Sequence, residues 1–128
     1  MLASYSAVFF PEGNMRIWLC TTPTDMRKSY NGLSALVKNH LDDNPLNGNL
    51  YVFVNRKCNQ MKILFFDRNG YSIWGKRLEQ GQFVVRANGA VKVTLSYVQL
   101  KCLLDGIEWR DARQYKRFSL TSERTQAL

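Results

Sequence analysis

The sequence predicts a single α+β domain, a meandering antiparallel sheet with one helix before it and one after it. Three observations predict this class. Apolar residues from Thr24 to Leu41 recur at helical spacing, two strand-like runs are joined by Asn69-Gly70, and Ser96 with Gln99 forms a capping signal ahead of a short apolar stretch.

Residues 1–14 read as a variable leader. Met1 to Phe10 has no basic start and soon meets Pro11, Glu12, Gly13 and Asn14, a poor match to a signal peptide. Arg16 to Cys20 is a short apolar strand, broken by Thr21, Thr22 and Pro23. Met26, Tyr30, Leu33, Leu36, Val37 and Leu41 then mark one face of a helix over Thr24 to Leu41, with Thr24 or Asp25 as its N-cap. Gly32 costs about 1 kcal/mol inside such a helix relative to Ala, and is expected where another backbone packs closely. The polar run from Asp42 to Gly48 ends the helix.

Leu50 to Asn55 and Met61 to Phe66 read as strands around a loop from Arg56 to Gln60. A two-residue turn at Asn69-Gly70 sets Arg68 opposite Tyr71, Phe66 opposite Ile73, Phe65 opposite Trp74 and Lys62 opposite Arg77. Gln82 to Val85 and Ala90 to Val93 form a further expected pair, turned by Asn88-Gly89. A second helix runs from Tyr97 to Asp105, with Val98, Cys102 and Leu103 as its expected buried side and Gly106 as its stop. Ile107 and Trp109 are expected to dock back on the core, closing a domain over 15–109. The basic segment 110–128 is expected to fray.

The chain has 128 residues, 45% hydrophobic and 22% charged. That suits one domain able to bury about 68% of its unfolded surface, and it excludes wholesale disorder. It is too short for a complete transposase, polymerase or kinase. The net charge of +8 and pI near 9.7 favour polyanionic partners, nucleic acid before anionic membrane, against the plainer reading of solubility. Three widely spaced cysteines make no disulfide framework and fit a reducing cytoplasm. A single histidine, His40, excludes a His-rich metal site. No apolar run reaches the ~20 residues of a membrane span.

The cations fall in two groups. Arg27 and Lys28 lie in the first turn of the expected helix, where free backbone N–H groups favour an anion. Lys62 and Arg77 face each other in the expected hairpin, with Lys76 adjoining and Arg56 and Lys57 in the loop at the same end. Five cations on one end of a β-ribbon suit phosphate contact, against the plainer role of edge-strand guards. Among the interleaved aromatics, Tyr71 and Trp74 are the candidates for base stacking, while the phenylalanines read as core.

Catalytic signals are weak. Asp25, Asp67, Asp105 and Glu108 are the carboxylates available to Mg²⁺, yet each has a simpler role as cap, turn residue or helix end. No phosphate-cradling glycine loop or metalloprotease motif is present. No catalytic residue, cofactor, metal or small-molecule substrate is expected.

At TDMRKSYNGLSALV (Thr24 to Val37), KILFFDRNGYSIWGKRLEQGQF (Lys62 to Phe83) and LSYVQLKCLLDGIEW near the end, the sequence resembles a known family. It is similar to the small accessory protein, called TnpB or the second open reading frame, of insertion sequence 66-type bacterial transposable elements. Family members often carry Trp where Phe66 stands and Trp-Pro soon after the position of Phe83. The resemblance implies a non-catalytic accessory factor for transposition, encoded beside a helix-turn-helix protein and a larger transposase. Its motif cations Arg27, Lys28, Lys62, Lys76 and Arg77 are also those of the charge argument. The expected function is therefore cytoplasmic DNA binding, at element ends or on any duplex, through a basic face. The alternative is an adaptor for the transposase that does not touch DNA, and a small metal-dependent nuclease is the third reading.

Overall fold

An unbroken apolar run needs cover on both faces and therefore belongs in the middle of a sheet. LYVFV, the strand β2 (Leu50–Val54), occupies that place, and all five of its residues are buried. The structure, a computed structural model, describes residues 15–86 and 88–106. The other elements are β1 (Ile17–Cys20), α1 (Tyr30–Asn39), β3 (Gln60–Asp67), β4 (Gly70–Arg77), β5 (Lys92–Leu95) and α2 (Tyr97–Leu104). The strands form one sheet in the order β4-β3-β2-β1-β5.

The α+β class with a helix on either side of the hairpins is as the sequence predicts, but the sheet is mixed. β1 runs parallel to β2, with Ile17 opposite Leu50 and Leu19 opposite Val52. A parallel pair needs a long crossover, and α1 with its flanking loops supplies it. The helices then cover opposite faces. Leu100, Leu103 and Leu104 of α2 pack with Phe83 and Val85 on Leu19, Val52, Met61 and Ile63. Leu33 and Val37 of α1 pack with Leu41 on Tyr51, Phe53 and Leu64.

Four local expectations are corrected. The first helix begins at Tyr30 rather than Thr24, because Asp25 organises a turn of its own: its carboxylate accepts the Arg27 N–H at 2.9 Å, and its carbonyl accepts the Lys28 N–H at 3.1 Å. Such side-chain bonds compete with helix formation. Arg27 and Lys28 thus precede the helix and do not sit in its first turn.

The hairpin turns at Arg68 and Asn69, not at Asn69-Gly70. Asp67 pairs with Gly70, Arg68 takes φ +57°, and the Asn69 N–H donates to the Asp67 carbonyl at 2.6 Å. The register moves by two residues, so every side chain keeps its face but changes its partner.

Residues 82–86 form no strand. Phe83, Val84 and Val85 are buried instead, and β5 pairs antiparallel with β1. The helix α2 has the expected capping box at Ser96 and Gln99 and buries Leu103 as expected, but its other buried residues are Leu100 and Leu104. Val98 is 64% exposed and Cys102 is half-buried. The docking expected of Ile107 and Trp109, the leader 1–14, the domain limit at 109 and the tail 110–128 all fall outside the described residues.

Candidate nucleic-acid interface

Where β1 and β2 end, the chain must cross the end of the sheet before α1 can return over it. It is pinned there by backbone: the Thr24 N–H donates to the Val54 carbonyl at 2.9 Å. The turn that follows carries Arg27, whose guanidinium grips Asp25 with Nη2 on Oδ2 at 2.7 Å and Nε on Oδ1 at 3.1 Å. That grip holds the exposed Asp25 carboxyl down at about 2. The next residue, Lys28, presents its carbonyl to β3, where Lys62 Nζ donates to it at 2.8 Å. An ammonium has three protons to donate, so Lys62 keeps two for another acceptor.

Gly32 shapes this contact. A Cβ on Gly32 would lie 3.1 Å from both Cβ and Cγ of Lys28, so the aliphatic stem of Lys28 occupies the space the glycine leaves. The expected close approach is thus made by a side chain rather than by another backbone. Gly75 of β4 is the cross-strand partner of Lys62. It has no positive φ, and a Cβ there would meet only ordinary contacts, Met61 O at 3.6 Å and Lys62 Cγ at 4.0 Å. Glycine inside a strand costs roughly 0.5–1 kcal/mol relative to Ala, and nothing among the described residues requires it at 75.

The β2–β3 loop lies at the same end of the sheet and is held from within. Asn55 Oδ1 accepts the N–H groups of Asn59 and Gln60, each at 3.0 Å, and Asn55 Nδ2 donates to Asn59 Oδ1 at 2.8 Å. Gln82 Nε2 fastens the loop from outside by donating to the Lys57 carbonyl at 2.9 Å. Arg56 and Lys57 are exposed on this loop. Arg77 ends β4 beside it, opposite Gln60, with Nε on Glu79 Oε2 at 3.2 Å in a highly exposed pair.

Six of the seven expected cations, Arg27, Lys28, Arg56, Lys57, Lys62 and Arg77, therefore share one end of the sheet. Lys62 and Arg77 are on one face but diagonal, since Lys62 faces Gly75. Lys76 departs. It pairs with Met61, points to the α2 face, and its Nζ donates to the Leu104 carbonyl at 2.9 Å. A cation at a helix C-terminus suits the helix dipole, which gives Lys76 a role inside the fold. Lys28, Lys57 and Lys62 have no carboxylate within ion-pair distance among the described residues.

The two stacking candidates lie on opposite faces. Tyr71 packs against the α1-side cluster and stands edge-on to Phe66 at 5.3 Å, whereas Trp74 packs against the α2-side core. They do not form one stacking platform. Of the candidate carboxylates, Asp25 is gripped by Arg27, Asp67 flanks the hairpin turn and Asp105 caps α2, while Glu108 is outside the described residues. Among the described residues no three His, Cys, Asp or Glu side chains are grouped to hold a metal ion. His40 Nε2 meets the Thr22 hydroxyl at 3.0 Å. No described helix is long and apolar enough to cross a membrane.

Sequence reasoning missed Asn55, Gly75 and the Lys28 carbonyl. A glycine in the middle of an edge strand was the available signal. The carbonyl leaves no trace in a sequence.

The sequence model of the IS66 Orf2 like protein family matches residues 15–114. The chain belongs to this family. Two similar proteins come from Sinorhizobium fredii. The uncharacterized protein y4hO is 38% identical over 105 residues, 81% of this chain and 91% of its own length. The uncharacterized protein y4jC is 30% identical over 99 residues, 77% of this chain and 85% of its own. No solved structure matches the chain. The IS66 Orf2-like match spans both basic segments, the turn at Arg27 and Lys28 and the hairpin that carries Lys62 and Arg77.

Proposed function

We propose that this IS66 Orf2-like protein is a non-catalytic accessory factor for transposition that holds DNA through the basic end of its sheet. The observation that carries the reading is the placement of Lys28, Lys57 and Lys62, none of them in an ion pair among the described residues, at one end of the sheet with Arg27, Arg56 and Arg77. Such a surface neutralises backbone phosphates and releases their counterions, which gives affinity without reading sequence. The DNA is duplex at the element ends or elsewhere, and the transposase and helix-turn-helix protein of the same element are the protein partners. The work is cytoplasmic, in keeping with the free thiols of Cys20, Cys58 and Cys102.

The test is duplex binding at several salt concentrations. Changing Lys62 and Arg77 together to Ala weakens binding and lowers the slope of log K against log salt by about two. Lys101→Ala, an exposed cation on α2, removes the same kind of charge elsewhere and leaves most of the binding intact. Equal binding by the double variant and the parent refutes the reading.

The adaptor reading is second, and Val98, a 64% exposed apolar residue on α2, is what favours it. Co-purification with the transposase from nuclease-treated, high-salt lysate, undiminished by the Lys62 and Arg77 changes, would put it first.

A further inference from the structure

We infer that Lys28 and Lys62, with Arg77 beside them, form a seat for a single phosphodiester group, and that Gly32 and Gly75 shape that seat. The inference rests on the DNA-binding reading above and narrows it to particular side chains.

Two glycines stand where regular structure disfavours them, one in α1 beside the Lys28 stem and one in β4 across from Lys62, and the two lysines are joined by the bond from Lys62 Nζ to the Lys28 carbonyl. Gly32 leaves room for the Lys28 stem: a Cβ there would lie 3.1 Å from Lys28 Cβ and Cγ, so the stem must give way to any larger residue. Gly75 lies across from Lys62 and leaves the sheet surface bare on that side. Backbone geometry does not demand glycine at either position, since neither has a positive φ. The interior does not demand it at 75 either, where a Cβ has ordinary space. What the two absences do is leave room along the stems of two bonded neighbours, Lys28 and Lys62.

That room suits one anionic group of about the size of a phosphate. Lys62 Nζ is anchored by one bond to the Lys28 carbonyl, which fixes its position and leaves two N–H donors. Lys28, whose carbonyl Lys62 holds, is itself exposed. Arg77 projects from the same face of β4, two residues beyond Gly75, and its bond to Glu79 uses Nε, leaving the terminal nitrogens available to a second oxyanion. A strand position without a side chain is also where another backbone or a ligand can come close to a sheet.

The test fills the gap without touching a charge. Gly75→Val adds a β-branched side chain that suits an edge strand, so the variant is expected to melt at or above the parent temperature. Its affinity for a short labelled duplex, measured by fluorescence anisotropy, is expected to fall about tenfold, with the salt slope lowered by about one. Gly32→Ala reaches the seat from the other side. It favours the helix, displaces the Lys28 stem, and is expected to weaken binding in the same direction, so the inference stays testable if one variant folds poorly. Gly75→Val and Gly32→Ala variants that fold and bind with the parent affinity and slope overturn the seat. If they do so while the Lys62 and Arg77 double variant binds weakly, the seat alone is wrong. A parent protein with no salt-dependent duplex binding removes the DNA-binding reading and the seat together.

Discussion

Removing one oxygen atom at Tyr51 tests how the loop after α1 is tied to the sheet. Tyr51 is fully buried in β2, and its hydroxyl donates to Asp43 Oδ2 at 2.6 Å while accepting from Asn47 Nδ2 at 3.0 Å. Burial and this bond to Asp43 push the phenol up to about 12. Tyr51→Phe keeps the ring and its packing, so no large cavity term enters. What is lost is the hydrogen bond to a charged acceptor, worth about 1.5–3 kcal/mol net, together with the weaker one accepted from Asn47, whose amide keeps Asp43 Oδ1 as a partner. The Asp43 carboxylate keeps Lys92 at 3.4 Å and the Asn44 N–H at 2.9 Å, which places the expected loss near the middle of that range, about 2 kcal/mol. For a domain of this size the melting temperature falls by about 8–16 °C. Urea unfolding followed by tryptophan fluorescence, with circular dichroism as a second probe, gives the number. A loss under about 0.5 kcal/mol, the level of an ordinary surface change, refutes the account.

Three further outcomes are expected. Burial raises the Asp43 carboxyl, but the Tyr51 hydroxyl, the Asn44 N–H and Lys92 outweigh it and hold the group below its ordinary value. Its contribution is therefore full above about pH 4 and is lost as pH falls through the lower folded value, and Asp43→Asn flattens that acid limb in urea titrations at several pH values. Arg68→Gly relieves a side chain held at φ +57° and raises stability by about 1 kcal/mol, while Gly70→Ala, with open space and no positive φ, stays within about 0.5 kcal/mol. A turn at Asn69-Gly70 requires the opposite result at Gly70, and thermal melts separate the two. Glu79→Gln releases Arg77 from a highly exposed pair, so stability changes by less than about 1 kcal/mol while duplex affinity rises, as anisotropy will show.

The parts of this fold legible in the sequence are those decided within a few residues. LYVFV reads as a strand because its apolar run is unbroken, and Ser96 with Gln99 reads as a helix start because both capping bonds are local. The helix start at Tyr30 is hidden because Asp25 has a competing use for its carboxylate, which residue types alone do not rank. The parallel β1–β2 pair depends on which strand finds which across the α1 crossover, although the strand–helix–strand order from Ile17 to Val54 is itself a sign of it. On the hairpin, the side-chain faces of Lys62, Lys76 and Arg77 follow from alternation and survive the register error. Lys76 shows the other limit, since its partner is a carbonyl contributed by a helix far along the chain.

The placement of β1 has a consequence for how the chain leaves the ribosome. Ile17 is flanked by Leu50 on one side and Leu95 on the other. The β2–β3–β4 hairpins close between near neighbours, whereas β1 waits for partners made much later. During synthesis its second edge stays bare until β5 emerges, almost at the end of the described domain. Nascent chains halted before Lys92 are thus the ones most prone to clump, and a chaperone that protects one short early strand would have the largest effect on yield.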